Sequence, residues 1–461
     1  MTGPTTPMLT SPAAYRPPSA LAGSGSGPRP LPPLRPGDGP AFPRVVERRL
    51  PSGPRVLAVP AMGTPLVEAR VLVPLSAGTP RQSVTAELLT TTAFTGTVRA
   101  GGRAVPWDSA LTTGRPQVQR MAEWLLVAGH APADELDRLL ALLAAWLAAP
   151  EIPEERLAQE RERLSQALAI LDAQPRRIAL RALNRARYGD AEAFGAWPTA
   201  DVVAGITAQD VREAHRDCLS LAGARVVVVG NVDAGTASDA VARAFSGLPA
   251  GGPAAPAPGT APAGRLRLVP RPGATQSHVA LSCRSLPFSH PGYPALAVAN
   301  AVFAGYFSSR LVANIRERRG LAYHALSRFD RTLGIPSVVT EVICGTDSTG
   351  PVVSEILGEL ERTAENPPTR REIEDARNYL NGSLLTATAS QSDLANLIAS
   401  LCCWEVDPGW IQEYPQQLLE VTADEVAAAC TEFFGPGPEA GVVVGNTAAT
   451  GPSLARFGFT E

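Results

Sequence analysis

The 461-residue chain contains no lysine, so all 41 of its basic residues are arginine. With abundant alanine, glycine and proline, that skew reads as a coding bias rather than a functional choice. Charge is also scarce in sum. A net charge of −3 and a pI near 6.1 give no basic surface with which to hold nucleic acid or an anionic membrane. The six cysteines (Cys218, Cys283, Cys344, Cys402, Cys403, Cys430) form no C-x-x-C pair, which argues against a disulfide framework or a thiolate metal knuckle. Cys402 and Cys403 lie in the apolar run 397–404 and read as buried thiols. The N-terminus lacks the basic start and apolar core of a signal peptide, and the longest apolar run, Leu139 to Ala149, is short of the ~20 residues of a spanning helix. A cytoplasmic location is the expectation.

What is present is a chain long enough for two or three domains, with apolar residues at 45 %. Residues 1–43, rich in Pro, Gly, Ser and Thr, predict a disordered tail, and 248–264 (LPAGGPAAPAPGTAPAG) predicts a Pro/Ala/Gly linker. Domains are thus expected over 44–247 and 265–461. The two repeat each other: 206–231 aligns without a gap on 421–446 at an offset of 215, with nine of 26 positions identical. In each copy a threonine (Thr207, Thr422) precedes an acid by three residues (Asp210, Glu425), the signature of a capping box. A helix should follow, then a β-branched run, Val226–Val229 or Val442–Val444, ending in Gly-Asn, which reads as a buried strand. Pro153 and Pro368 match at the same offset and open long amphipathic helices. Strands are also predicted at RVLAVP, VEARVLVPL and 123–129, and helices over Asp134–Ala148 and Glu154–Leu171. The fold class expected is α+β: two homologous domains, each a mostly antiparallel or mixed sheet with helices packed on one face.

Two segments carry chemistry. LPSGPRVLAVP, a helix ending FTGT, and VVVVGNVD, together with FAGYFSSRLVANIRERRGLAYHALS (303–327), resemble the insulinase and mitochondrial-processing-peptidase family of zinc peptidases from about residue 45 to 446. The resemblance implies an H-x-x-E-H helix, whose two histidines share one face to bind Zn²⁺ while the glutamate acts as general base, and a distal glutamate ligand. Anchored on FTGT, the corresponding residues are Glu87, Thr90 and Thr91, with Ala167 at the distal position. One carboxylate and two hydroxyls make a poor zinc site. No histidine precedes His130, and the five present (His130, His215, His278, His290, His324) include no H-x-x-x-H pair. His130 reads as following a strand and His215 as lying mid-helix, both in ordinary structural roles. No metal site and no cofactor are therefore expected in this chain.

The resemblance further implies that Arg316 and Tyr323, seven positions apart in RERRGLAY, contact substrate near the scissile bond. It also implies a substrate-gripping loop around Gly305, Phe307, Ser308 and Ser309, although only one glycine is present there. On spacing alone, 316–319 reads equally well as a solvated basic helix end and Tyr323 as a strand-packing residue. With the pair kept and the zinc set lost, the family implies a non-catalytic, substrate-positioning subunit of a bacterial heterodimeric metallopeptidase that processes peptides or leader segments. Its partners would be a homologous subunit carrying the zinc, and unfolded peptide. The alternative is a structural or assembly protein of the same fold with no role in proteolysis. An independent hydrolase is disfavoured, since no G-x-S-x-G elbow is present.

Overall fold

The computed structural model describes residues 42–461 except 51–53, 77–78, 101–102, 111–114, 122, 189–198, 220–222, 249–265 and 332–334. The expected tail, apart from Phe42 and Pro43, and the expected linker, apart from Leu248, lie outside the described residues. Phe42 belongs to the folded body: it packs against apolar clusters of both halves, and Gln412 donates to the Pro43 carbonyl.

The first half builds a sheet from β1 (Val46–Arg49), β2 (Arg55–Pro60), β3 (Leu66–Pro74), β6 (Gln117–Arg120), β7 (Trp124–Pro132) and β8 (Arg225–Gly230). A separate hairpin pairs β4 (Thr97–Ala100) with β5 (Arg103–Pro106). The sheet order is β1-β2-β8-β3-β7-β6, with β2 parallel to β8 and the other pairs antiparallel. The second half uses β9 (Leu266–Pro270), β10 (Gln276–Arg284), β11 (Ala322–Asp330), β12 (Ser337–Gly345) and β13 (Ala440–Gly445). Its order, β9-β13-β10-β12-β11, matches β2-β8-β3-β7-β6 strand for strand, with β9 parallel to β13 and the rest antiparallel. Val226–Val229 and Val442–Val444 therefore occupy the same place in the two sheets, and the repeat is one of topology as well as sequence.

The helices of the first half are α1 (Pro80–Thr91), α2 (Leu136–Ala148), α3 (Glu154–Asp172), α4 (Pro175–Tyr188), α5 (Ala208–Cys218) and α6 (Ala234–Phe245). Those of the second are α7 (Tyr293–Asn300), α8 (Thr349–Glu365), α9 (Arg370–Thr386), α10 (Gln391–Cys403), α11 (Trp410–Glu420), α12 (Ala423–Phe434) and α13 (Thr447–Leu454). The 215 offset carries α3 onto α9, α4 onto α10, α5 onto α12 and β8 onto β13, each within a residue or two at its ends. Both predicted capping boxes form: the Thr207 and Thr422 hydroxyls accept from Asp210 and Glu425 amides, and each acid accepts from its threonine's amide.

Each sheet carries its own helices on one face, where α1, α2, α3, α5 and α6 enclose Val56, Val71, Val226 and Val228. The opposite face is covered by the other half. Leu57, Leu72, Val227 and Val229 pack on Leu394, Ile398 and Leu401 of α10, while Val442 and Val444 pack on Ala179 and Leu183 of α4. Burial on both faces is why these strands read as unbroken valine runs rather than alternating ones. Polar pins tie the exchange. Buried Arg70 of β3 donates to Asn396 Oδ1 at 2.7 Å and Ser392 Oγ at 2.9 Å on α10, while Arg187 of α4 pairs with Asp330 of β11. Residues 41–461 consequently form one compact unit. The helical stretch Tyr293–Arg318 is long and apolar enough to cross a bilayer, but 72 % of its most apolar window is buried, and it serves as the core helix of the second half.

Candidate functional site

Helix α1 is built for stability. Thr79 caps it, Gln82 completes the box, and Ser83, Val84, Thr85, Ala86, Leu88 and Leu89 are buried. Of the residues at the expected zinc positions, Thr90 donates its hydroxyl to the Glu87 carbonyl at 2.7 Å and Thr91 to the Leu88 carbonyl at 3.3 Å, so both hydroxyls are turned back onto their own helix. The Glu87 carboxylate lies in the field of the Arg120 guanidinium of β6, whose pKa burial lowers and Glu87 raises in part, without forming an ion pair with it. Ala167, half-buried on α3, offers no donor atom. An arginine beside a lone carboxylate, with the hydroxyls engaged elsewhere, does not fit Zn²⁺, which needs three or four converging N, S or O ligands. Among the described residues no cluster of three or more His, Cys, Asp or Glu side chains could hold a metal.

The histidines play structural parts. His130 lies within β7 rather than after it, opposite Glu68. His215 is buried on α5, edge-on to Trp146, with one ring nitrogen bonded to the Leu147 backbone and Nε2 unpartnered; burial drops its pKa to about 4.

The second half holds the arrangement that α1 lacks. After α7 the chain kinks at Ala304, whose φ/ψ of −158° and 15° is non-helical. Helix resumes at Arg310, which grips Glu372 at the start of α9 through two bonds of 2.6 and 2.9 Å. That bidentate bond is the main reason the Glu372 pKa falls to about 2. The stretch Ala313–Arg318 then widens into a π-helical turn, a geometry frequent at functional sites. Gly320, at φ 61°, ends it as a left-handed residue, and the Leu321 amide returns to the Ile315 carbonyl at 2.8 Å. The reversal sends the chain into β11, the edge strand of its sheet. Register against β12 slips between Ala322 and His324, so Tyr323 is the extra residue of a bulge and its ring is turned out, 82 % exposed.

These turns bring Arg316 and Tyr323 together. The Arg316 guanidinium carbon lies 4.5 Å from the Tyr323 ring centroid and 4.1 Å from that of Phe307, stacked between the two. The plain reading of 316–319 as a solvated basic helix end holds for the exposed Glu317, Arg318 and Arg319, whereas Arg316 is stacked and Tyr323 is turned out to solvent. The expected loop divides. Phe307 and Ser308 are exposed, whereas Ser309 is 1 % exposed with an unpartnered hydroxyl, and a Cβ on Gly305 would meet the Asn300 carbonyl at 3.0 Å. Gly305 and Ser309 are therefore packing positions, and only Phe307 and Ser308 face outward. The aromatic surface extends beyond the predicted residues, since Tyr306 stacks on Tyr379 of α9 at 5.0 Å. Tyr379 gave no signal beyond a lone aromatic on an amphipathic helix. A polar cavity of about 610 Å³ lies beside the stack, lined by Ser308, Arg310, Asn314, Arg318, Arg319 and Glu355 among others.

Comparison with known proteins agrees with this picture. Residues 205–380 match the family model described as Peptidase M16 inactive domain. A Streptomyces coelicolor protein named as an uncharacterized zinc protease is 29 % identical over 303 residues, which cover 63 % of this chain and 65 % of that protein, just under two thirds of its length. A Bacillus subtilis protein named as a probable inactive metalloprotease is 22 % identical over 307 residues, 64 % of this chain and 70 % of that one. The fold matches the crystal structure of a peptidase M16 inactive domain from Pseudomonas fluorescens with a TM-score of 0.77 at 20 % identity, covering 88 % of this chain and 98 % of that one. It matches the periplasmic protease PqqL from Escherichia coli with a TM-score of 0.74 at 20 % identity, covering 87 % of this chain but 45 % of the longer protein. Over residues 205–380 the chain is thus similar to the peptidase M16 inactive domain, and no zinc-ligand set is present among its described residues.

Proposed function

We propose that this chain is the substrate-positioning subunit of a two-chain zinc peptidase, acting on unfolded peptides or leader segments beside a homologous, zinc-bearing partner. The observation that carries the reading is the contrast between two sites. The positions that would hold the metal carry Glu87, Thr90, Thr91 and Ala167, with both hydroxyls bonded to their own helix, while Arg316 and Tyr323 lie together with the tyrosine ring exposed. The relation to the Escherichia coli protease supports it too: a unit of this size accounts for 45 % of that chain, leaving length there for a second such unit.

The chemistry available is hydrogen-bond donation. A peptide carbonyl under attack becomes a tetrahedral oxyanion, and donors already in place stabilise it most. Tyr323 offers one O–H and Arg316 several N–H groups, and both can also hold the substrate backbone before attack. The hydrolytic group itself comes from the partner.

The test is reconstitution with the homologous chain that carries H-x-x-E-H, assayed on an unstructured peptide. Activity is expected only from the mixture. Tyr323→Phe should lower kcat by ~10²–10³ with assembly intact by size-exclusion chromatography, and Arg316→Ala should raise KM as well. If both variants retain full activity within a verified complex, the chain contributes no group to the reaction.

A further inference from the structure

The stack fixes more than the neighbourhood of Arg316. Two rings within 4.5 Å of its central carbon restrict the guanidinium, whose N–H groups point outward in its own plane. Nε lies 3.3 Å from Glu317 Oε1, an ion pair with its sequence neighbour. Nη1 and Nη2 have no acceptor among the described residues, although the side chain keeps only about a quarter of its exposure. The result is a rigid fork with one free edge, opening between two rings that are themselves 58 % and 82 % exposed. Two parallel N–H groups on a guanidinium edge match the two oxygens of a carboxylate, and a fork already immobilised loses little entropy on binding one. The local charge favours the same ligand. Arg318, two residues on and exposed, forms no ion pair with described residues, and the nearest acid of the neighbouring cavity, Glu355, is taken up by Arg319 at 3.0 Å and Asn314 at 2.6 Å.

We infer that the Phe307–Arg316–Tyr323 stack is a carboxylate-recognition site, so that the peptides this subunit takes present a carboxylate there, either a C-terminus or an acidic side chain. The inference rests on the reading of the chain as a peptide-positioning subunit and narrows its substrate class. Phe307 acts through Arg316, holding the guanidinium flat, and is a positioning residue. Tyr323 has two separable duties: its ring completes the stack, and its hydroxyl serves the reacting carbonyl.

The experiment is equilibrium binding to the full chain alone, read by fluorescence anisotropy. Four labelled decapeptides of one neutral unstructured sequence are compared: C-terminally amidated, free C-terminus, amidated with an internal Glu, and amidated with an internal Gln. At least one carboxylate peptide should bind roughly ten- to a hundredfold more tightly than its neutral counterpart, the range of a charge-assisted bidentate pair. Which one does so identifies the source, and the preference should shrink at high salt. Arg316→Lys should remove most of the preference, because a point charge cannot reproduce the fork. Phe307→Leu should reduce it with an unchanged melting temperature, as an exposed ring carries little fold stability. Tyr323→Phe should retain it, since the ring remains. Equal binding of carboxylate and amide peptides overturns the carboxylate inference while leaving peptide positioning intact. Absence of any binding, or a preference that survives Arg316→Lys, overturns it as well.

Discussion

The same fold, made twice in one chain, meets two fates at its chemically important ends. In the first half the helix α1 presents two hydroxyls folded back on their own backbone and a carboxylate in the field of Arg120. In the second half a widened helical turn, a left-handed glycine and a strand bulge combine to bring a half-buried Arg316 against an exposed Tyr323. α1 has a capping box and a buried face, so the residues at the expected metal positions leave the packing of its half intact.

Substitutions can break or sharpen that contrast between packed and open sites. The largest effect is expected where the halves interlock. Arg187→Ala removes a buried cation and leaves the half-buried Asp330 the more distant Arg328, 3.8 Å away, and should cost about 3–5 kcal/mol by chemical denaturation. Next comes a pair of equivalent glycines. A Cβ on Gly230, at φ 150°, would lie 2.3 Å from the Leu66 carbonyl oxygen and 2.7 Å from Val67 Cα, both backbone. On Gly445 the nearest atom is the Ser277 hydroxyl at 2.6 Å, which can swing away. Gly230→Ala should therefore cost about 3 kcal/mol, and Gly445→Ala about 1 kcal/mol; comparable costs would show that the two sheets share this constraint after all.

An effect of similar ceiling appears only in acid. His215 has a folded pKa of about 4, below its ordinary 6.5, so the unfolded chain binds the proton more readily. Stability from this group is complete above pH 6.5 and is lost as pH falls toward 4, by up to about 3 kcal/mol. Melting curves across that window should be flatter for His215→Gln than for the native chain. The smallest effect belongs to the open site. Arg316→Ala should leave stability within about 0.5 kcal/mol, and a larger loss would mean that the stack is part of the core.

Much of the fold was legible because it is written locally. The capping boxes at Thr207 and Thr422, the valine runs and the gapless repeat all rest on local pattern, and they identify β8 and β13 as buried strands at equivalent places in the two sheets. The exchange of α4 and α10 was not legible, since an amphipathic helix shows that it has a partner but not which sheet that partner is. The site was read in part. Arg316 and Tyr323 came from a motif, but the bulge that exposes Tyr323 depends on pairing with β12, and the stacking of Phe307 depends on the kink at Ala304. Ser309 looked like a loop residue and proved to be buried, because helix resumes immediately after it. Arg120 carried no signal, as its role depends on β6 lying beside α1.

The exchanged helices also bear on how the chain is made. The apolar face formed by Leu57, Leu72, Val227 and Val229 has its cover in Leu394, Ile398 and Leu401, about 150 residues beyond the end of the first half. At ribosomal rates of 5–20 residues per second that face waits on the order of ten to thirty seconds before its lid is synthesised. During synthesis that face of the first half stays uncovered, and a chain halted before α10 exposes an apolar sheet rather than a finished domain.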